Sequence, residues 1–323
     1  MSLAAVVVGL AILVWSADRF VDGAAAIAHH LGVSNMIIGI TVIGFGTSAP
    51  EIAVSMIAVL EDVPGIAIGN ALGSNIANIG LILGVTALLV PIPVSAGLIR
   101  SEYPLLAIAT VVMIYCLHDL ELTRLDGIIL MVLLVVIMGY MIHLHRNSGG
   151  DNDKGETDED HMSNMTAIGW VLLGLILLVG SSRMLVWGAS NIATAFGVSD
   201  LVIGLTIVAL GTSLPELAAS IASLKKSIPD MAIGNIIGSN LFNSLAVVGI
   251  PPLVGGFAFD AAAVYRDIPV MVVLTLMLFA MSSLPRAGVI HLTRTNGLVL
   301  TACFVAYQLY LYLETASGTS WFS

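Results

Sequence analysis

Gly46-Thr47-Ser48-Ala49-Pro50-Glu51 sets a carboxylate directly behind a proline, about 17 residues into an otherwise apolar run. The pattern returns as Gly211-Thr212-Ser213-Leu214-Pro215-Glu216. A second stretch, Gly69-Asn70-Ala71-Leu72-Gly73-Ser74-Asn75, returns as Gly234-Asn235-Ile236-Ile237-Gly238-Ser239-Asn240. Both recurrences have the same offset (216 − 51 = 165 and 239 − 74 = 165), which aligns Gly9–Gly84 with Gly174–Gly249 without a gap. Roughly 33 of those 76 positions are identical. Two apolar helices do not match by chance at Pro, Glu and Asn together, so the chain is an internal duplication.

Composition sets the solvent in which that duplication folds. The 323 residues are 58% hydrophobic and 10% charged, with a mean hydropathy of +1.02. A soluble domain carries about 25% charged residues. The excess of 21 Asp+Glu over 11 Lys+Arg argues against nucleic acid as a partner. Cys116 and Cys303 make neither a disulfide framework nor a metal-ligand spacing. A membrane span needs about 20 mostly apolar residues, and such runs fall near 2–28, 34–60, 63–90, 103–118, 126–143, 166–195, 199–224, 229–255, 267–284 and 296–313. The first lacks a basic leader and a cleavage-like site, so it is expected to be a retained helix. The fold class expected is an all-α polytopic membrane protein with ten transmembrane helices. It divides into a first five-helix repeat (1–145), an acidic linker (146–164) and a second five-helix repeat (165–323).

Five spans per repeat is an odd number, so the second copy enters the membrane from the opposite face. Inverted repeats of this kind mark secondary transporters, whose substrate site lies where the repeats meet near the midplane. With ten spans, Arg100, Arg146, Lys154, Lys225, Lys226, Arg286 and Arg294 lie on the linker side, against Arg124 and Arg266 on the other. The positive-inside rule then puts the linker in the cytoplasm and both termini outside. The linker's Asp151, Asp153, Glu156, Asp158, Glu159 and Asp160 miss the EF-hand spacing and read as a solvated connection. Asp18 and Asp22, which the repeat does not preserve, read as interfacial ion-pair partners beside Arg19.

Glu51 and Glu216 are expected near the bilayer centre, where even the lenient insertion scales charge about 2.5–3.5 kcal/mol for an acid. Without a Lys or Arg at the same depth, they call for protons or cations. Pro50 and Pro215 remove a backbone donor and clash with the carbonyl four residues earlier, so each is expected to break or kink its helix. Carbonyls near Gly44, Gly46, Ala209 and Gly211 are then freed, and in hydrocarbon such backbone must line a cavity or meet a ligand. Thr47, Ser48, Thr212 and Ser213 add hydroxyls, and the following span adds Asn70, Ser74, Asn75 and Asn78 with Asn235, Ser239, Asn240 and Asn243. Ser74 and Asn78 share a helix face, whereas Asn75 is turned from it to pack between helices or cap a broken segment. An all-oxygen donor set suits hard cations such as Ca²⁺ and Na⁺; Zn²⁺ or Cu would call for imidazole or thiolate. Gly44-Phe45-Gly46-Thr47-Ser48-Ala49 also fits a loose dinucleotide fingerprint, but that pattern requires a preceding strand.

At these paired motifs the chain resembles the sodium/calcium exchanger family of the calcium:cation antiporters, over residues 2–315. The resemblance implies four ion sites in a diamond at the centre of two inverted five-helix repeats. It implies that Glu51 and Glu216 are the principal Ca²⁺ ligands, shared with Na⁺. Thr47, Ser48, Ser74, Thr212, Ser213, Ser239 and the carbonyls of Gly44 and Ala209 would complete the shells, with Asn78 and Asn243 at the remaining central positions. It further implies that the first and sixth helices slide past a rigid core. Some members carry Asp at one of the positions held here by Asn78 and Asn243, so exchange ratio and K⁺ dependence do not transfer.

The function expected is secondary antiport of Ca²⁺ against Na⁺, exporting Ca²⁺ across a bacterial or archaeal inner membrane. Proton- or K⁺-coupled exchange and a cation channel are the alternatives. No nucleophile or metal cluster points to an enzyme. No cofactor, nucleic acid or obligatory protein partner is implied beyond the transported ions and the bilayer.

Overall fold

Hydrophobic runs of this length have one way to satisfy their backbone in lipid, as helices. The structure, a computed structural model, describes residues 1–146, 162–196, 209–259, 261, 263–283 and 290–317. Among them, nine helical stretches are long and apolar enough to cross a membrane. They match nine of the ten expected spans; the tenth, near 199–224, is described only from Ala209 onward, and the acidic stretch 151–160 lies outside the described residues.

The helices used below are α1 (Ser2–Leu31), α2 (Gly44–Leu60), α3 (Pro64–Ala77), α4 (Glu102–Leu117), α5 (Arg124–Arg146), α6 (Asn164–Ala195), α7 (Leu214–Lys225), α8 (Pro229–Phe242), α9 (Ile268–Ser283) and α10 (Arg294–Ser317). Local chemistry explains several ends. Gly32 at φ 62° closes α1 and returns its N–H to the carbonyls of Ala28 and His29. The Ser163 hydroxyl accepts from the Thr166 N–H at 3.2 Å to open α6. Pro64 opens α3 at a position whose N–H would have no partner in any case.

The chain forms two compact units, and each draws on both halves of the duplication. The first comprises Met1–Thr47 and Ile142–Asn235. Its frame is the pair α1 and α6, whose glycines admit the opposite helix at backbone distance. A Cβ on Gly174 would stand 2.9 Å from Phe20, and one on Gly9 would stand 3.2 Å from Leu185. Farther along, Gly23 faces the Ala167 carbonyl and Gly188 faces that of Ser2. Each of these contacts is the 165-residue counterpart of another, so the interface is symmetric about its middle. Leu13, Ala17, Phe20, Val21 and Leu178 fill it, and Ala219 and Ala222 of α7 close the same core. Asp22 pairs with Lys226 at 2.5 Å and with Arg19 at 3.5 Å, the ion-pair role expected of it.

The second unit comprises Ser48–Met141 and Ile236–Ser323. Here α3 runs directly into a π turn at Asn78–Leu83, and α8 into one at Asn243–Val247, at equivalent positions of the repeat. Two short antiparallel strand pairs join the repeats: β1 (Ile92–Val94) with β4 (Ile290–Leu292), and β2 (Glu121–Leu122) with β3 (Phe257–Ala258). In each pair a strand following the third span of one repeat meets a strand preceding the fifth span of the other. Arg266 grips Asp267 at 2.6 and 3.1 Å and Glu314 at 3.1 Å, while the Tyr307 hydroxyl donates to Asp267 at 2.9 Å. That cluster fixes the start of α9 to the end of α10.

The prolines behave differently from each other. Helix α2 runs through Pro50 unbroken, and the irregularity lies upstream as a π turn at Gly39–Ile43. At Pro215 the chain does break: a helical turn at Ala209–Thr212 ends, Ser213 leaves the helical region (φ −92°, ψ 3°), and α7 begins at Leu214. The dinucleotide-like stretch 44–49 lies within α2, with no strand before it.

Gly174→Leu should lower the apparent melting temperature by about 5 °C, because the side chain must displace the Phe20 backbone. Gly180→Leu, whose Cβ would meet nothing within 4 Å, should leave it unchanged. Thermal unfolding of the detergent-solubilised variants measures both.

Candidate cation-binding site

The twelve residues expected to bind cations fall six to each unit. In the second unit, Glu51 lies two turns into α2 and is 1% exposed. Neither of its carboxylate oxygens has a hydrogen-bond partner among the described residues. Its backbone is held firmly nonetheless. The Asn70 amide on α3 donates to the Glu51 carbonyl oxygen at 3.1 Å and to the Ser55 hydroxyl at 3.1 Å. Ser55 donates in turn to the Ala67 carbonyl at 3.3 Å. The backbone is thus braced while the carboxyl end stays uncommitted among the described residues.

Ser48, one turn before Glu51, is fully buried with its hydroxyl also unpartnered among the described residues. Ser74 and Asn78 follow on the next helix, both buried. The Asn78 amide donates to the Asn240 side-chain oxygen at 3.2 Å, a bond between the two repeats. Asn75 donates to Ser244 at 3.0 Å and to the Met271 sulfur at 3.5 Å, so it packs between helices, one of the two roles open to it. On α8, Ser239 is buried, and Asn243 keeps its side-chain oxygen without a partner among the described residues.

The first unit holds Gly44, Thr47, Ala209, Thr212, Ser213 and Glu216. Gly44 opens α2, and Ala209 and Thr212 bound the short helical turn ahead of the break. The Thr47 hydroxyl shares its hydrogen between the Ile43 carbonyl at 3.1 Å and the Asn235 side-chain oxygen at 3.2 Å. Ser213 is buried at the break, and Glu216, in the first turn of α7, is 1% exposed. Asn235 donates to the Glu216 carbonyl oxygen at 3.1 Å and to the Ser220 hydroxyl at 2.9 Å, repeating the Asn70 arrangement bond for bond. One of the freed carbonyls finds a partner inside the protein, since Ser182 of α6 donates to Gly211 O at 2.5 Å.

Two observations decide the chemistry. A carboxylate in a low-dielectric interior costs several kcal/mol unless it is paired. The carboxylate oxygens of Glu51 and the Ser48 hydroxyl one turn before it, none with a partner among the described residues, can all accept, and acceptor oxygens are what a hard cation requires. The motif spacing does not disclose the braces Asn70–Ser55 and Asn235–Ser220. Their trace in the sequence is that all four residues are identical at the 165-residue offset in a hydrophobic background.

The model of the family described as sodium/calcium exchanger protein matches residues 1–143 and 166–313. The chain belongs to the sodium/calcium exchanger family. It is 46% identical to the putative antiporter CaxA of Alkalimonas amylolytica, over 95% of this chain and 97% of that one. It is 38% identical to the inner membrane protein YrbG of Escherichia coli K12, over 97% of each. A solved structure of the sodium-calcium exchanger NCX_Mj, soaked with zero Na⁺ and Ca²⁺, superposes with a TM-score of 0.79 at 31% identity, covering 94% of this chain and 97% of that one. The inverted-repeat exchanger fold expected from the duplication is therefore the fold observed.

Ser182→Ala should cost about 1–2 kcal/mol by stranding the Gly211 carbonyl. The melting temperature should fall by about 2–6 °C relative to wild type in the same detergent.

Proposed function

We propose that this exchanger moves Ca²⁺ out of the cell in return for Na⁺, with Glu51 and Glu216 as the carboxylates that bind the ions. The observation that carries the reading is Glu51: a buried acid on a braced backbone whose oxygens meet no donor among the described residues. Thr47, Ser48, Ser74, Thr212, Ser213 and Ser239, the carbonyls of Gly44 and Ala209, and the amide oxygens of Asn78 and Asn243 supply the neutral ligands. Charge balance gives the exchange its logic. Two ionised acids are costly to carry through a dehydrated state, whereas one Ca²⁺ or several Na⁺ cancel their charge. Exchange is obligatory when only the neutralised protein changes sides.

Family membership favours Na⁺ over H⁺ as the counter-ion. In proteoliposomes, an imposed Na⁺ gradient should drive Ca²⁺ uptake, and a pH gradient without Na⁺ should not. Glu51→Gln and Glu216→Gln should each reduce that flux at least about 100-fold while leaving the protein inserted and monodisperse. Wild-type flux in either variant would remove the two acids from the site.

The excess of Lys and Arg on the linker side supports a cytoplasmic linker with both termini outside. With Cys116 and Cys303 replaced, a single cysteine placed at Ser148 should react with a membrane-impermeant thiol reagent in inside-out vesicles only. Labelling in right-side-out cells would reverse the orientation.

A further inference from the structure

Asn235 reaches across the duplication. Its two N–H groups go to Glu216 O at 3.1 Å and Ser220 Oγ at 2.9 Å, on the second repeat. Its oxygen receives the Thr47 hydroxyl at 3.2 Å, from the first repeat. All four residues are buried, Asn235 itself completely. This pattern fixes the amide's orientation, because turning it over would aim its oxygen at the Glu216 carbonyl. With the amide so fixed, Asn235 offers Thr47 an acceptor, and the backbone offers another at Ile43 O, 3.1 Å away. The hydroxyl hydrogen is drawn to these two acceptors, which sets the direction of the Thr47 hydroxyl.

We propose that Asn235, with its repeat mate Asn70, is a positioning residue for the ion ligands. It holds the backbone of the ligand glutamate and orients the Thr47 hydroxyl. Asn70 performs the first task for Glu51 through its bonds to Glu51 O and Ser55 Oγ, both 3.1 Å. The inference rests on the assignment of Glu51, Glu216 and Thr47 as ligands. It adds that neither asparagine touches the ion, and that one residue sets the geometry of ligands from both repeats.

A positioning role predicts weaker ion binding with the transport step preserved. Asn235→Leu, close in volume and without hydrogen bonds, should raise both half-saturating Ca²⁺ and half-saturating Na⁺ about tenfold, with maximal flux within about twofold of wild type. Asn70→Leu should raise half-saturating Ca²⁺ by a similar factor. Where a leucine variant fails to insert, Ser220→Ala and Ser55→Ala decide, each expected to raise half-saturating Ca²⁺ about two- to fivefold. Unchanged half-saturation, or a fall in maximal flux alone, would overturn the proposal. If Glu216→Gln abolishes flux while Asn235→Leu behaves as wild type, positioning fails and the site assignment stands. If wild-type protein shows no Na⁺-driven Ca²⁺ flux, the functional reading falls and this inference with it.

Discussion

Holding the Glu51 carboxylate at 1% exposure, with no donor on either oxygen among the described residues, would cost several kcal/mol as an uncompensated charge. A fold tolerates such a group where a proton or a cation neutralises it, and the proposed function takes the second course. Ser48 and Asn243 present further acceptors without a partner among the described residues. Asn70 gives its amide hydrogens to the Glu51 carbonyl and the Ser55 hydroxyl of α2 rather than to the carboxylate. Had that amide reached the side chain instead, the acid would be a structural group with little left for a cation.

Inversion turns one such device into two. The Asn–Glu–Ser brace appears once in each unit with distances that agree within 0.2 Å, 3.1 and 3.1 Å against 3.1 and 2.9 Å. The α1–α6 interface is built from glycine contacts that exchange with one another under the repeat, and the strand pairs exchange in the same way. Departures from symmetry are local. Asp22 and Lys226 form an ion pair whose repeat equivalents are Trp187 and Glu61. Pro50 lies within a continuous helix, whereas Pro215 follows a break. The two prolines therefore free their carbonyls differently, and Ser182 answers one of them.

Much of this was legible in the sequence because membrane folding leaves few options. Apolar run length sets the spans, and the odd number of spans per repeat sets the inversion. Polar residues that recur at a fixed offset in a hydrophobic background mark the site. Finer features leave no such trace. The π turns beginning at Asn78 and Asn243 run on through ordinary apolar residues, Ile79-Gly80-Leu81 and Leu245-Ala246-Val247, whose spacing does not separate a wide turn from a regular one. Strands of two or three residues, paired between the repeats, carry no alternation to read. The partners of Asn70 and Asn235 depend on which helices are neighbours, and the proline rule, which expects a break or a kink at each position, does not say that only Pro215 follows a break.

The account stands on metal occupying the space that protein donors leave around the buried acids. An anomalous difference map from crystals soaked in Sr²⁺, a scatterer of Ca²⁺ chemistry, tests this directly. The predicted result is a peak within about 2.3–2.6 Å of a Glu51 carboxylate oxygen, lost when the soak also contains saturating Na⁺. A well-ordered map with no peak at Glu51, or a peak unaffected by Na⁺, would contradict it.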